Sequence, residues 1–178
     1  TADWFGILPD TFNDKENALA FFTTPAGLHF DAAVFRDGHA SNPEDMPMNL
    51  SWNTFWDVAV ARTGEGWFVE MRIPLSSLRF QPRQDGSVVM GLIFFRWISR
   101  KNETDIFPAI PPNWGETSAW KPSQSQETLW PGLKPHRPLY LTPYLLGGAD
   151  RTYELNDAET AYVRGGSPKL EMGLDLKY

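Results

Sequence analysis

Hydrophobic and polar positions alternate most clearly between Trp56 and Phe80. Trp56, Val58 and Val60 interleave with Asp57, Ala59 and Ala61. After Thr63-Gly64-Glu65-Gly66, the residues Trp67, Val69, Met71 and Ile73 interleave with Phe68, Glu70 and Arg72. Period-two patterning on both sides of a Gly-rich connection predicts an antiparallel hairpin with one face in a core. Pro74 ends the second strand because it has no N–H for the ladder. Pro74 to Leu78 then reads as a short helical turn, with Ser76 and Ser77 placed to cap it.

Shorter apolar runs predict further strands at Trp4 to Pro9, Ala18 to Thr24 and Leu28 to Phe35, joined by polar or Pro/Gly connections. Ser87 to Ser99 is the most apolar run, which predicts a central strand covered on both faces. From Pro108 to Pro138 the texture changes. Seven prolines fall in that interval, with Trp114, Trp120 and Trp130 spaced through it, so a continuous strand or helix is excluded. All eight tryptophans lie at or before Trp130 and all five tyrosines at or after Tyr140, which places a boundary near His136. At the end of the chain Leu170, Met172, Leu174, Leu176 and Tyr178 alternate with Glu171, Gly173, Asp175 and Lys177. Such a strand fits a membrane barrel, where lipid-facing and lumen-facing positions alternate over about 9–11 residues. An amphipathic strand on a soluble sheet is the commoner explanation.

These elements predict an all-β fold. Residues 1–136 are expected to form an antiparallel β-sandwich, immunoglobulin-like or jelly-roll-like, carrying the long Pro/Trp-rich irregular segment. Residues 137–178 are expected to add C-terminal extension strands.

Composition narrows the function. The 178 residues suffice for one core, and a hydrophobic content of 42% with 15 prolines fits a loop-rich globular β protein. A net charge of −6 with no basic run argues against nucleic acid as a partner. The absence of cysteine removes thiolate chemistry and Cys-based zinc sites. No signal peptide is visible before Trp4-Phe5-Gly6-Ile7-Leu8, so the expectation is a cytosolic protein or a processed or truncated piece. Val88 to Ile98, the longest apolar run, is too short to cross a bilayer as a helix.

Candidate chemistry is sparse. Trp52, Trp114, Trp120 and Trp130 fall in loop-like sequence and are candidates for an aromatic platform, on which a sugar stacks its C–H face. The competing explanation for each is an anchor that holds its own loop down. Trp56, Trp67 and Trp97 are expected in the core. Asp10, Asn13, Asp14 and Glu16 form a cluster of hard oxygen donors, the type Ca²⁺ prefers, although Phe12 breaks an EF-hand spacing. A solvated Asx-rich turn is the better explanation of them. Glu70 and Arg72 share a face and read as a charge pair; Arg96, Arg100 and Lys101 read as rim charges paired with Glu103 and Asp105. His29, His39 and His136 are scattered, and no hydrolase, phosphate-loop or dinucleotide signature is present. The reading is therefore of a protein that is not an enzyme.

Several stretches occur together in order: Asp10-Thr11-Phe12, Pro25-Ala26-Gly27 before Asp31, Trp52 and Trp56, Glu70-Met71-Arg72-Ile73-Pro74-Leu75-Ser76-Ser77-Leu78-Arg79-Phe80, and Phe94-Phe95-Arg96 through Arg100-Lys101-Asn102-Glu103. This set resembles the later part of the carbohydrate-binding module family 9-like domain found at the front of a group of bacterial envelope proteins. Leu141-Thr142-Pro143-Tyr144 and Gly173 to Tyr178 resemble the opening of the outer-membrane barrel region expected to follow that domain. Met90 and Ile93 stand where the family more often has Trp and Asn. The resemblance implies a non-catalytic binding module in the periplasm or cell envelope, with a glycan as ligand. No binding residue is carried over from the family. The alternative is a structural or docking subunit of a larger membrane or envelope protein complex, held to the membrane through partners.

Overall fold

The computed structural model describes residues 2–39, 47–111, 113, 118–135 and 139–177, with the side chains of Tyr140 and Lys177 left aside. The chain is all-β and forms two compact units, Thr1–His136 and Arg137–Tyr178.

In the first unit seven strands make one antiparallel sheet: β1 (Trp4–Asp10), β2 (Ala18–Thr23), β3 (His29–Val34), β4 (Met48–Asn49), β7 (Val88–Ile98), β8 (Glu103–Phe107) and β9 (Gln126–Trp130). Their order is β4-β3-β2-β1-β7-β8. β9 joins β7 on the edge that β8 uses, β8 taking Phe94 to Ile98 and β9 taking Val88 to Leu92. The predicted central strand is an interior strand, one in from the edge that β8 and β9 form, and β9 is a strand inside the Pro/Trp-rich interval. It fits there because Gln126 to Trp130 is free of proline.

Register decides which side chains share a face. Leu8 lies opposite Ile93, Gly6 opposite both Phe22 and Phe95, and Phe22 opposite Phe30. On this face Leu8, Ala18, Ala20, Phe22, Ala32, Val34 and Ile93 form the main core. The Pro/Trp-rich segment supplies its cover through Ile110, Ala119 and Trp120.

The opposite face carries Phe21, which is fully buried, with Val88 and Met90 further along the sheet. Trp56 and Trp52 meet the Phe21 ring edge-on, at centroid separations of 5.5 and 5.9 Å. Over this face lies the second layer of the sandwich, the hairpin of β5 (Asp57–Arg62) and β6 (Trp67–Arg72). Val58 pairs with Met71 and Val60 with Val69, all half-buried, while Ala59, Glu70 and Phe68 face solvent. The period-two pattern thus sorts the hairpin as the sequence implies.

Three local expectations change in detail. Arg72 pairs across the hairpin with its register partner Asp57 (Nε–Oδ2 2.9 Å), and not along the strand with Glu70. The 3₁₀ turn Leu75–Ser77 carries no side-chain cap; Ser77 Oγ instead donates to the Phe55 carbonyl at 2.7 Å. Phe94 remains exposed beside its partner Phe107, so the central strand is not covered throughout.

The second unit is one long interrupted hairpin. β10 (Tyr140–Ala149) pairs with β13 (Pro168–Lys177) over ten positions in each strand, and β11 (Thr152–Leu155) pairs with β12 (Tyr162–Gly165) beyond a break. At the break Ser167 N–H donates to Asp150 Oδ1 at 3.3 Å. Gly166 adopts φ +147° there, where an added Cβ would run into the Asp150 backbone. At the tip Asn156 holds the turn, its Oδ1 accepting from the Thr160 N–H at 2.9 Å.

Candidate functional site

The four loop tryptophans do not form one platform. Trp52 is half-buried against Phe21, on the side of the sheet covered by β5 and β6. Trp120 lies on the other side, within 5.2 Å of Phe22 and stacked on Phe95 at 5.9 Å, where it closes the main core. Its place explains why a tryptophan stands in a Pro-rich segment: the 3₁₀ turn Ser118–Trp120 needs a large apolar anchor to lie on the sheet. Trp130 ends β9, more exposed, with its indole N–H donating to Thr128 Oγ1 at 2.7 Å. Trp114 and His136 lie outside the described residues.

The Asp10 loop spends most of its oxygens on its own backbone. Asp10 is completely buried, and its two carboxylate oxygens accept the Asp14 and Lys15 amides at 3.1 and 2.9 Å. Burial raises its pKa above the ordinary value, against the lowering effect of those two amides. Asp14 Oδ1 accepts the Glu16 and Asn17 amides, and its Oδ2 the Asn17 side chain. Burial pushes the Asp14 pKa up, but these hydrogen bonds outweigh it and the net shift is downward. Asn13 sits at φ +51° and donates from Nδ2 to Glu127 Oε1 at 3.1 Å, while Lys15 reaches the same oxygen at 3.2 Å. The loop is therefore clasped to β9. Asn13 Oδ1 and Ser125 Oγ are buried oxygens without a partner among the described residues. Among the described residues no group of three or more His, Cys, Asp or Glu is placed to hold a metal ion.

Of the expected rim pairs, Lys101 meets Glu103 at 3.3 Å; Arg96 lies opposite Asp105 in the register without forming an ion pair, and Arg100 pairs with neither acid. His29 is exposed and packs on the Trp56 ring, with centroids 4.4 Å apart.

The β10–β13 hairpin has the most pronounced surface in the chain. On one face the facing pairs are Leu141 with Leu176, Pro143 with Leu174, Leu145 with Met172, Gly147 with Leu170 and Ala149 with Pro168. Every one of these positions is apolar. Across the other face Thr142 meets Asp175, Tyr144 meets Gly173, Leu146 meets Glu171 and Gly148 meets Lys169. The apolar side chains are open to solvent, Leu145 at 69% and Met172 at 77%. Fully burying one such side chain stabilises by about 1.5–3 kcal/mol, so the six large ones, 57–77% exposed, leave roughly 6–12 kcal/mol unrealised. That compares with the whole stability of an ordinary domain. The alternation of β13 is visible in sequence. Its partner β10 is harder to see, because Leu145-Leu146 and Gly147-Gly148 blur the alternation.

No family model matches the chain, and neither does any curated protein or any solved structure.

Proposed function

We propose that this chain is a non-catalytic β-sandwich module of the cell envelope, seated in the membrane by its C-terminal hairpin as a docking part of a larger assembly. One observation carries this reading: the all-apolar, uncovered face of β10 and β13. Strands of about 9–11 residues match the hydrocarbon thickness of a bilayer when tilted, and both strands have ten. A barrel wall needs an apolar outer face and a more polar inner one, which this register supplies. The exposed Tyr153 and Tyr162, beyond the Asp150–Ser167 break, suit an interfacial position. No helix among the described residues is long and apolar enough to cross a membrane.

Within lipid, the outer edges of β10 and β13 need strand partners, because unpaired backbone groups there cost several kcal/mol each. The hairpin therefore works as part of a closed barrel, with lipid against its apolar face and further strands at its edges. The location outside the cytoplasm follows from the family resemblance.

Fractionation of native membranes tests the reading. The protein is expected to stay with the membrane through high-salt and alkaline washes. Leu145→Glu combined with Met172→Glu is expected to release it. Recovery of the wild type as a soluble monomer overturns the reading. Release by salt alone indicates docking on a protein surface and overturns the lipid contact.

A further inference from the structure

The β10–β13 face does not end where that ladder breaks. Ala149 faces Pro168 before the break and Thr152 faces Gly165 after it. Each strand spends two residues in between, Asp150 with Arg151 on one side and Gly166 with Ser167 on the other. Side-chain alternation therefore carries across with its phase unchanged. The face that presents Leu145 and Met172 continues through Arg151 to Tyr153 and Leu155, and on the other strand to Arg164 and Tyr162. Tyr153 is the direct partner of Arg164, and Leu155 of Tyr162. Such partners have Cβ atoms about 4.5–5.5 Å apart. Gly166 packs on the Asp150 and Arg151 backbone, which leaves no side chain opposite Arg151.

Charge is sorted between the two faces of this unit. Arg151 and Arg164 are the only charged residues of the apolar phase from Leu141 to Leu155 and from Tyr162 to Leu176. Asp150, Glu154, Glu171 and Asp175 belong to the opposite phase, and Asp157 and Glu159 to the tip turn. Both arginines are exposed, and neither makes a hydrogen bond or ion pair among the described residues. Their height follows from strand length. Ten residues at about 3.4 Å each, tilted by roughly 40°, rise about 25 Å, the height of a barrel's apolar band. Arg151 stands two residues past Ala149, and Arg164 four residues before Pro168. That adds about 5–10 Å, so both guanidinium groups reach the headgroup layer when the apolar band lies in hydrocarbon.

We propose that Arg151 and Arg164 bind the phosphate of an anionic phospholipid, with Tyr153 and Tyr162 at its headgroup and its acyl chains along the apolar face. This site belongs to the proposed membrane seating and rests on it. Guanidinium groups present forked donors that match phosphate oxygens, and no acid on the face competes for them. A lipid fits better than free phosphate, because a lipid brings an anion and long hydrocarbon chains together, the order in which this face presents arginine and leucine. The chain as a whole carries a net charge of −6, which opposes an anionic surface, so a preference for anionic lipid has to arise locally.

The protein is extracted with its assembly from native membranes in an uncharged detergent and stripped of lipid. Phosphatidylglycerol and phosphatidylcholine are then titrated in separately, with thermal unfolding as the readout of binding. Phosphatidylglycerol is expected to stabilise at the lower concentration. Arg151→Gln and Arg164→Gln, both at exposed positions, are each expected to raise the concentration needed by roughly fivefold, and the double variant to remove the preference. Lys169→Gln, on the opposite face, leaves it unchanged. Equal response of the wild type to the two lipids overturns the site, as does a preference that survives the double substitution. Inorganic phosphate that stabilises as well as phosphatidylglycerol overturns the lipid as its source. Failure of the membrane seating shows separately, as a soluble protein on fractionation, whereas failure of this site leaves the protein in the membrane without a lipid preference.

Discussion

The Tyr144 ring lies across Gly173, its direct partner in the β10–β13 ladder, where an added Cβ would fall inside the phenol. Phe22 covers Gly6 in the main sheet in the same way, again as a cross-strand partner. Each glycine provides the space that lets an aromatic side chain lie flat on the sheet. Each pair also fixes register, since a one-residue slip would put a side chain under the ring.

Gly6→Ala is therefore expected to destabilise the sandwich by about 1–3 kcal/mol, the usual cost of overpacking a core. Denaturant unfolding of the variant measures it. Phe22→Leu in the same chain is expected to recover part of the loss, because the methyl then meets a smaller side chain; an additive double-mutant cycle would contradict the contact.

For the hairpin, Gly173→Val is expected to displace Tyr144 and loosen the ladder around it. Hydrogen exchange read at Leu145 and Met172 should show faster exchange in the variant. Unchanged protection would mean that Tyr144 does not rest on Gly173.

Trp120→Ala removes the cover of the main core, where the indole meets Phe22 and Phe95. The expected loss is about 3 kcal/mol, in the range of large aromatic truncations. Trp130→Ala, at an exposed strand end, is expected to cost well under half as much in the same thermal or denaturant unfolding experiment.

Acid stability carries two opposing contributions. Asp14 and Glu127 have folded-state pKa values below their ordinary ones. For Asp14, hydrogen bonds from Asn17 and Glu16 outweigh the upward push of burial; for Glu127, the Asn13 side chain and then Lys15 lower the value. Their stabilisation is present above the ordinary carboxylate range, and is lost as pH falls from that range through the lowered folded values. Asp10 works in the opposite sense. Its folded pKa is raised, chiefly by burial, so its protonation favours the fold, and this contribution fades as pH rises from the ordinary value through the raised one. Asp10→Asn, which cannot titrate, is expected to lose stability more steeply than wild type between about pH 5 and pH 3. Melting temperatures across that interval decide the matter, and parallel curves would contradict it.

The Arg72–Asp57 pair is open to solvent on the outer face of the hairpin. Replacing Arg72 with Ala should therefore cost less than about 1 kcal/mol, and the difference should shrink further at high salt. A larger loss in urea unfolding would show that the pair positions the hairpin on the sheet.

Local periodicity determined by itself that Trp56 to Arg72 is a hairpin, that Val88 to Ile98 is a strand, and that Leu170 to Leu176 has one apolar side. These follow from the two-residue repeat of an extended chain, which needs only neighbours to be recognised. The apparent partner of Arg72 was misread because Glu70 is near in sequence, whereas Asp57 is near only once the register is set. The tryptophans divided for a similar reason. Phe21 and Phe22 are adjacent in the chain but face opposite ways, so Trp52 and Trp120, packed on them, ended on opposite sides of the sheet. Only the tertiary structure joined β10 to β13 into one apolar face, and set Arg164 beside Tyr153 beyond its end. Side-chain alternation is a property of each strand alone; which strands meet, and in what register, depends on pairings between residues far apart in the chain.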